Sequence, residues 1–132
     1  MSRILVIDDE DAVRAALCKA LTKLGHTAYE AADGKKGLAV FHEHAPDVVI
    51  TDLVMPETEG LEVVMTLRGS HPDLKIIAIS GGGRRGATDN LRMARYLGAS
   101  RVIPKPMTIG DLKATLDDLK VFGNPPQAEV TV

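Results

Sequence analysis

Three short runs of apolar, largely β-branched residues constrain this chain more than any other feature: ILVI at 4–7, VVIT at 48–51 and IIAI at 76–79. Each run is continuous rather than alternating, so each predicts a strand covered on both faces, as in a parallel sheet. Weaker candidates at 27–31 and 101–103 bring the expected strands to five. Between them, apolar residues recur at helical spacing. Val13, Leu17, Leu21 and Leu24 stand four, four and three apart, and Gly25 follows as a stop. Similar stretches cover 36–44, 61–67, 88–97 and 109–119; the last has Thr108 as a candidate N-cap and Ile109, Leu112, Leu116 and Leu119 on one stripe. Strictly alternating strands and helices predict an α/β fold, a parallel sheet with right-handed crossovers and helices on both faces. Ligands of such sheets bind beyond the carboxyl ends of the strands.

A chain of 132 residues suits one domain with one core. Its mixture of 45% apolar and 26% charged residues is that of an ordinary globular protein and excludes a fibrous or disordered one. The net charge of -2, with no basic run interleaved with aromatics, argues against nucleic-acid binding by this chain. No apolar run approaches the roughly 20 residues that span a bilayer. The N-terminus MSRILVIDDE turns acidic where a signal peptide stays apolar, so neither membrane insertion nor secretion is expected. The single cysteine, Cys18, lies in the apolar-periodic VRAALCKAL; it excludes an internal disulfide, predicts a small buried side chain and fits a reducing cytoplasm. The closing GNPPQAEVTV cannot prolong a helix, so the domain is expected over 1–122 with 123–132 as a tail or the start of a linker.

The residues just past the strand candidates carry the chemistry: Asp8 and Asp9 after ILVI, Asp52 after VVIT, Ser80 after IIAI and Lys105 after RVIP. All are expected at one edge of the sheet. Carboxylates gathered so closely repel one another unless a proton or a cation intervenes. An all-oxygen donor set with few protein ligands suits Mg²⁺, which keeps several waters, and no His or Cys stands at a ligand spacing. The same cation and the Lys105 ammonium would allow Asp52 to sit in apolar company. A carboxylate so placed can attack phosphorus and form an aspartyl-phosphate, while Ser80 donates a hydrogen bond to a phosphoryl oxygen.

With IDDE near the start, TDLVMPETEG in the middle, then AISG and GASRVIPKP, the sequence resembles the receiver domain of bacterial two-component response regulators over about residues 3–121. The resemblance implies a flavodoxin-like doubly wound sheet with strand order 2-1-3-4-5 and a phosphorylation-dependent switch rather than an enzyme. It implies Asp52 as phosphoacceptor, Asp9 as a direct Mg²⁺ ligand, Asp8 as a ligand through water and the backbone carbonyl of Val54 as a further ligand. Ser80 and Lys105 would bind the phosphoryl group and couple it to shape, with a cis peptide before Pro106. The donor would be a phosphohistidine on a sensor histidine kinase or histidine phosphotransfer protein, and the output a contact with a downstream protein. Two positions depart from the family pattern. Val102 stands where an aromatic usually reports phosphorylation. The loop SGGGRRG at 80–86 is unusually rich in glycine, and Gly81 and its neighbours would let backbone N–H groups approach a phosphoryl oxygen.

Other readings are weighed against these. The acids and Lys105 alone could form a surface ion network, and Ser80 could cap a turn. SGGGRRG lacks the Lys-Ser or Lys-Thr pair of a nucleotide-binding loop, with Ala87-Thr88 in its place, so Arg84 and Arg85 are expected as loop charges. His42 and His44 flank Glu43 at a helix end without a third ligand for zinc. A phosphohydrolase similar to the haloacid dehalogenases would need a second Asp two residues after Asp52, where Val54 stands. A receiver-like interaction module that is never phosphorylated is the remaining alternative.

Overall fold

A computed structural model describes residues 2–53, 59–81, 87–105 and 107–121. Strands and helices alternate as the apolar pattern predicts: β1 (Arg3–Ile7), α1 (Asp11–Lys23), β2 (Thr27–Ala31), α2 (Gly34–His44), β3 (Val48–Asp52), α3 (Glu59–Ser70), β4 (Lys75–Gly81), α4 (Ala87–Leu97), β5 (Arg101–Lys105) and α5 (Ile109–Asp118). The strands form one parallel sheet in the order β2-β1-β3-β4-β5.

Alternate residues of each strand face opposite layers, which divides the core in two. Leu5, Ile7, Val49, Ile76 and Ala78 pack with Phe41 of α2, Val63, Val64 and Leu67 of α3 and Ala94 of α4. Ile4, Val6, Ile50, Ile77, Ile79 and Ile103 pack with Leu17 and Leu21 of α1 and Leu112 and Leu116 of α5. Burying such a side chain is worth about 1.5–3 kcal/mol, so the continuous apolar runs tie both layers to the sheet.

The helix ends show where pattern alone falls short. α2 begins at Gly34, two residues before its apolar pattern does, because the Asp33 carboxylate accepts a hydrogen bond from the Lys36 backbone N–H at 2.8 Å. Thr108 caps α5 as expected and forms a reciprocal capping box with Asp111. α1 stops where Gly25 takes φ 91° and the His26 N–H reaches back to the Leu21 carbonyl. At its other end α1 has Glu10 as N-cap with no side-chain cap bond, which forgoes about 0.5–2 kcal/mol of a good cap. Cys18 is half-buried at the margin of the second layer rather than enclosed, and burial pushes its thiol pKa up.

Candidate functional site

Register delivers the acidic residues to one edge. Ile7 pairs with Thr51 and Asp52 with Ile79, while Ser80 pairs with Pro104 and Gly81 with Lys105. Asp8, immediately after β1, therefore stands beside Asp52, the last residue of β3, with the end of β5 two strands away. Long Lys105 spans that gap. Its ammonium lies 3.0 Å from a carboxylate oxygen of Asp52 and 3.3 Å from one of Asp8.

Asp8 is 1% and Asp52 2% exposed, a placement that would cost several kcal/mol per ion without a counter-charge. Lys105 supplies it. Burial lowers the pKa of its ammonium, but the hydrogen bond and charge of Asp52, and then those of Asp8, raise it further, and the net shift is upward. The other oxygen of Asp8 accepts from the Glu10 N–H at 2.8 Å. Its backbone carbonyl accepts from Arg14 at 2.8 Å, and Arg14 also pairs with Asp11 and Glu30. The first turn of α1 thus fastens the end of β1.

Beneath the acids, Gly60 of α3 is buried against the backbone of β3. A Cβ there would overlap the Asp52 carbonyl oxygen and lie 2.6 Å from the Leu53 Cα. The glycine of TDLVMPETEG is what lets α3 approach the strand end so closely. Ser80 is fully buried, and its hydroxyl has no hydrogen-bond partner among the described residues. A buried hydroxyl is rarely left unpaired, so its solitude calls for a ligand or a water.

Of the sequence-predicted site residues, the structure brings together Asp8, Asp52 and Lys105, and sets Ser80 and Gly81 at the end of the neighbouring strand. Asp9 is exposed. The group of carboxylates whose oxygens lie within 4.8 Å of one another consists of Asp8, Asp52 and Glu10. Val102 is half-buried and packs on the layer of α2, α3 and α4. Val54, Pro106, Arg84, Arg85 and Phe122 lie outside the described residues. His44 stacks on Tyr29 with ring centres 4.2 Å apart, and among the described residues no histidine joins a cluster able to hold a metal. Sequence reasoning missed Glu10 and Arg14. Both had a signal: a glutamate at an N-cap position that favours shorter polar side chains, and an arginine one helical turn after it.

A five-stranded parallel sheet in this order, with helices on both faces and a carboxylate pocket beyond its strand ends, defines a flavodoxin-like α/β domain. The profile of the response regulator receiver domain family matches residues 4–117, and the chain belongs to that family. It is 36% identical over 118 residues to the sensor kinase CckA of Brucella abortus, covering 88% of this chain and 12% of that protein. It is 34% identical over 114 residues to the response regulator MprA of Mycobacterium tuberculosis, covering 86% of this chain and 48% of that one. The chain therefore spans less than half the length of either curated relative. Among solved structures, a response regulator receiver domain protein from Clostridium thermocellum aligns with a TM-score of 0.82 at 31% identity, over 89% of this chain and 93% of its own. The receiver domain of NtrX from Brucella abortus aligns with a TM-score of 0.80 at 29% identity, over 87% and 95%. Among the described residues no helix is long and apolar enough to cross a membrane.

Proposed function

We propose that this domain is a phosphorylation-dependent switch of a two-component phosphorelay. It accepts a phosphoryl group on Asp52 from a phosphohistidine of a sensor histidine kinase or histidine phosphotransfer protein and then changes its contacts with a downstream protein. The observation that carries the reading is Asp52 itself: a carboxylate almost without exposure at a strand end, 3.0 Å from the Lys105 ammonium. We take residues 1–122 as the receiver unit. A phosphohistidine donor of this kind sets it in the cytoplasm.

The residues present fit a divalent cation. Three carboxylates against one ammonium leave an excess of two negative charges in a largely buried pocket, and every donor is a hard oxygen. Asp8 and Asp52 would hold Mg²⁺, with Asp9 and the Val54 carbonyl as the family resemblance implies. The ion, when bound, neutralises charge on the transferring phosphoryl oxygens.

Asp52 supplies the nucleophilic oxygen. It attacks phosphorus in line, the new O–P bond forms as the P–N bond of the phosphohistidine breaks, and the imidazole leaves with that electron pair. The product adds negative charge where the Asp52 carboxylate stood. Lys105, already within hydrogen-bond reach, shifts its hydrogen bond toward a phosphoryl oxygen. Ser80, whose hydroxyl has no other partner among the described residues, donates to another, and Gly81 leaves its backbone free of a side chain. Each of these contacts exists only in the phosphorylated state, which is what biases a two-state equilibrium. Val102 packs into the core layer as a short branched side chain, so the signal passes through α4 and the β4 end without a swinging ring.

Incubation with acetyl phosphate and Mg²⁺ is expected to add one acid-labile phosphoryl group by intact mass, absent in Asp52→Asn. Failure of the wild type to take up any would overturn the proposal.

A further inference from the structure

Glu10 breaks a local rule at the rim of the pocket. It holds the N-cap position of α1 but makes no cap bond with its side chain. The carboxylate turns instead toward the acids: one oxygen lies 4.0 Å from the Lys105 ammonium, and an oxygen lies within 4.8 Å of those of Asp8 and Asp52. Its backbone is held there as well, because the Glu10 N–H donates to the Asp8 carboxylate. The side chains of Asp8 and Asp52 are 1% exposed and that of Glu10 is 65% exposed, so Glu10 forms the solvent side of the cluster. Departures from local sequence preference concentrate at functional sites.

We propose that Glu10 is an outer carboxylate of the divalent-cation pocket, binding the ion directly or through its water, and that it raises cation affinity at the expense of α1 stability. The proposal rests on the phosphoryl-switch reading and deepens it by giving a binding role to a residue that reading counts only as charge. The energetic logic has two parts. Without a cation, Glu10 adds a third negative charge beside two buried ones and leaves the helix uncapped, so it destabilises the apo domain. With a cation in place, the same charge becomes attractive. A residue that merely shaped the helix start would alter stability and leave cation binding alone.

The test compares wild type, Glu10→Ser, Glu10→Gln and Asp52→Asn as folded full-length chains. Mn²⁺ binding is read by the loss of free-ion electron paramagnetic resonance signal, Mg²⁺ binding by calorimetry, and apo stability by thermal unfolding. Glu10→Ser restores a good cap and removes the charge. It is expected to raise the apo unfolding midpoint by a few degrees while weakening cation affinity by about tenfold, the lower end for an outer partner of a metal site. Glu10→Gln should weaken affinity equally with a smaller gain in midpoint. Glu10→Ser and Glu10→Gln that bind Mn²⁺ as tightly as wild type, while Asp52→Asn loses binding, would overturn the Glu10 assignment and leave the switch intact. An Asp52→Asn chain that binds as tightly as wild type would instead overturn the switch reading beneath it.

Discussion

The Lys105 ammonium lies 3.0 Å from the Asp52 carboxylate and is the one cation within 4.0 Å of the Asp8, Glu10 and Asp52 carboxylates among the described residues. Its removal is therefore felt by all three. In Lys105→Met the buried carboxylates of Asp8 and Asp52 lose the ammonium between them and repel, and breaking a buried pair costs on the order of 3–5 kcal/mol. Urea denaturation at pH 7 without divalent ions should show a loss near the lower figure, with part restored by added Mg²⁺. The pH dependence has a definite sign. The folded pKa of Lys105 lies above its ordinary 10.5, so its contribution is fully present below that value and is lost as pH rises through the folded pKa. Wild type should weaken more steeply than Lys105→Met above pH 10.5. An unchanged midpoint in the variant at pH 7 contradicts the pairing.

Gly60 is needed for space. A methyl group at this position meets the Asp52 carbonyl and the Leu53 Cα, both backbone atoms that cannot turn aside as a flexible side chain could. Gly60→Ala should therefore displace the start of α3 or the end of β3, at roughly 1–3 kcal/mol, the range for an overpacked site. The displaced atom belongs to Asp52, the proposed phosphoacceptor, so phosphoryl uptake from acetyl phosphate should slow as well. Gly69→Ala on the same helix, where a Cβ meets nothing within 4 Å, is the control and should leave both unchanged or gain slightly in stability.

The parallel sheet and the meeting of Asp8, Asp52 and Lys105 were legible because continuous apolar runs mark buried parallel strands and parallel register aligns their carboxyl ends, whereas the strand order came from the family resemblance. Start and stop signals such as Thr108 and Gly25 were legible for the same reason: each is a local chemical preference. What escaped depended on contacts between distant residues. The orientation of Glu10 follows from Asp8 and Lys105, not from its neighbours in sequence. Arg68 gave no sign of its role, since its acceptors are mostly backbone oxygens, which sequence does not distinguish.

Those acceptors make Arg68 a clamp on the amino-terminal side of the sheet. Its guanidinium donates to the carbonyls of Gly98 at 2.9 Å, His71 at 3.1 Å and Pro72 at 2.6 Å, and to the Ser100 hydroxyl at 3.2 Å. Ser100 in turn accepts from the Ile76 N–H at the start of β4. One side chain thus joins the end of α3 to the turns before β4 and β5. Arg68→Ala should cost about 2–4 kcal/mol in urea denaturation, less than the sum of four charged hydrogen bonds because water reaches some acceptors. Arg68→Lys should recover only part, since a single ammonium cannot address acceptors spread across a planar fork. Equal stability of the Lys and Arg forms would show that charge alone matters at this position.

His26 predicts a loss of stability on the acid side. It is 5% exposed just before β2, at the opposite end of the sheet from the acids, and its Nδ1 has no hydrogen-bond partner among the described residues. Burial disfavours the charged imidazolium and lowers the pKa from 6.5. Below pH 6.5 the unfolded chain takes up a proton that the folded one refuses, so stability falls as pH drops from 6.5 toward the folded pKa. Above pH 7.5 the group is neutral in both states and contributes nothing to the slope. Urea denaturation of wild type and His26→Leu between pH 7.5 and 5.5 should therefore diverge, wild type falling more steeply by up to about 1.4 kcal/mol per pH unit. Parallel curves would mean that the imidazole is charged inside the fold or that the unpaired nitrogen finds water. Phosphoryl uptake at Asp52 should be equal in the two proteins at pH 7.5, because His26 lies beyond the far ends of the strands that carry the acids.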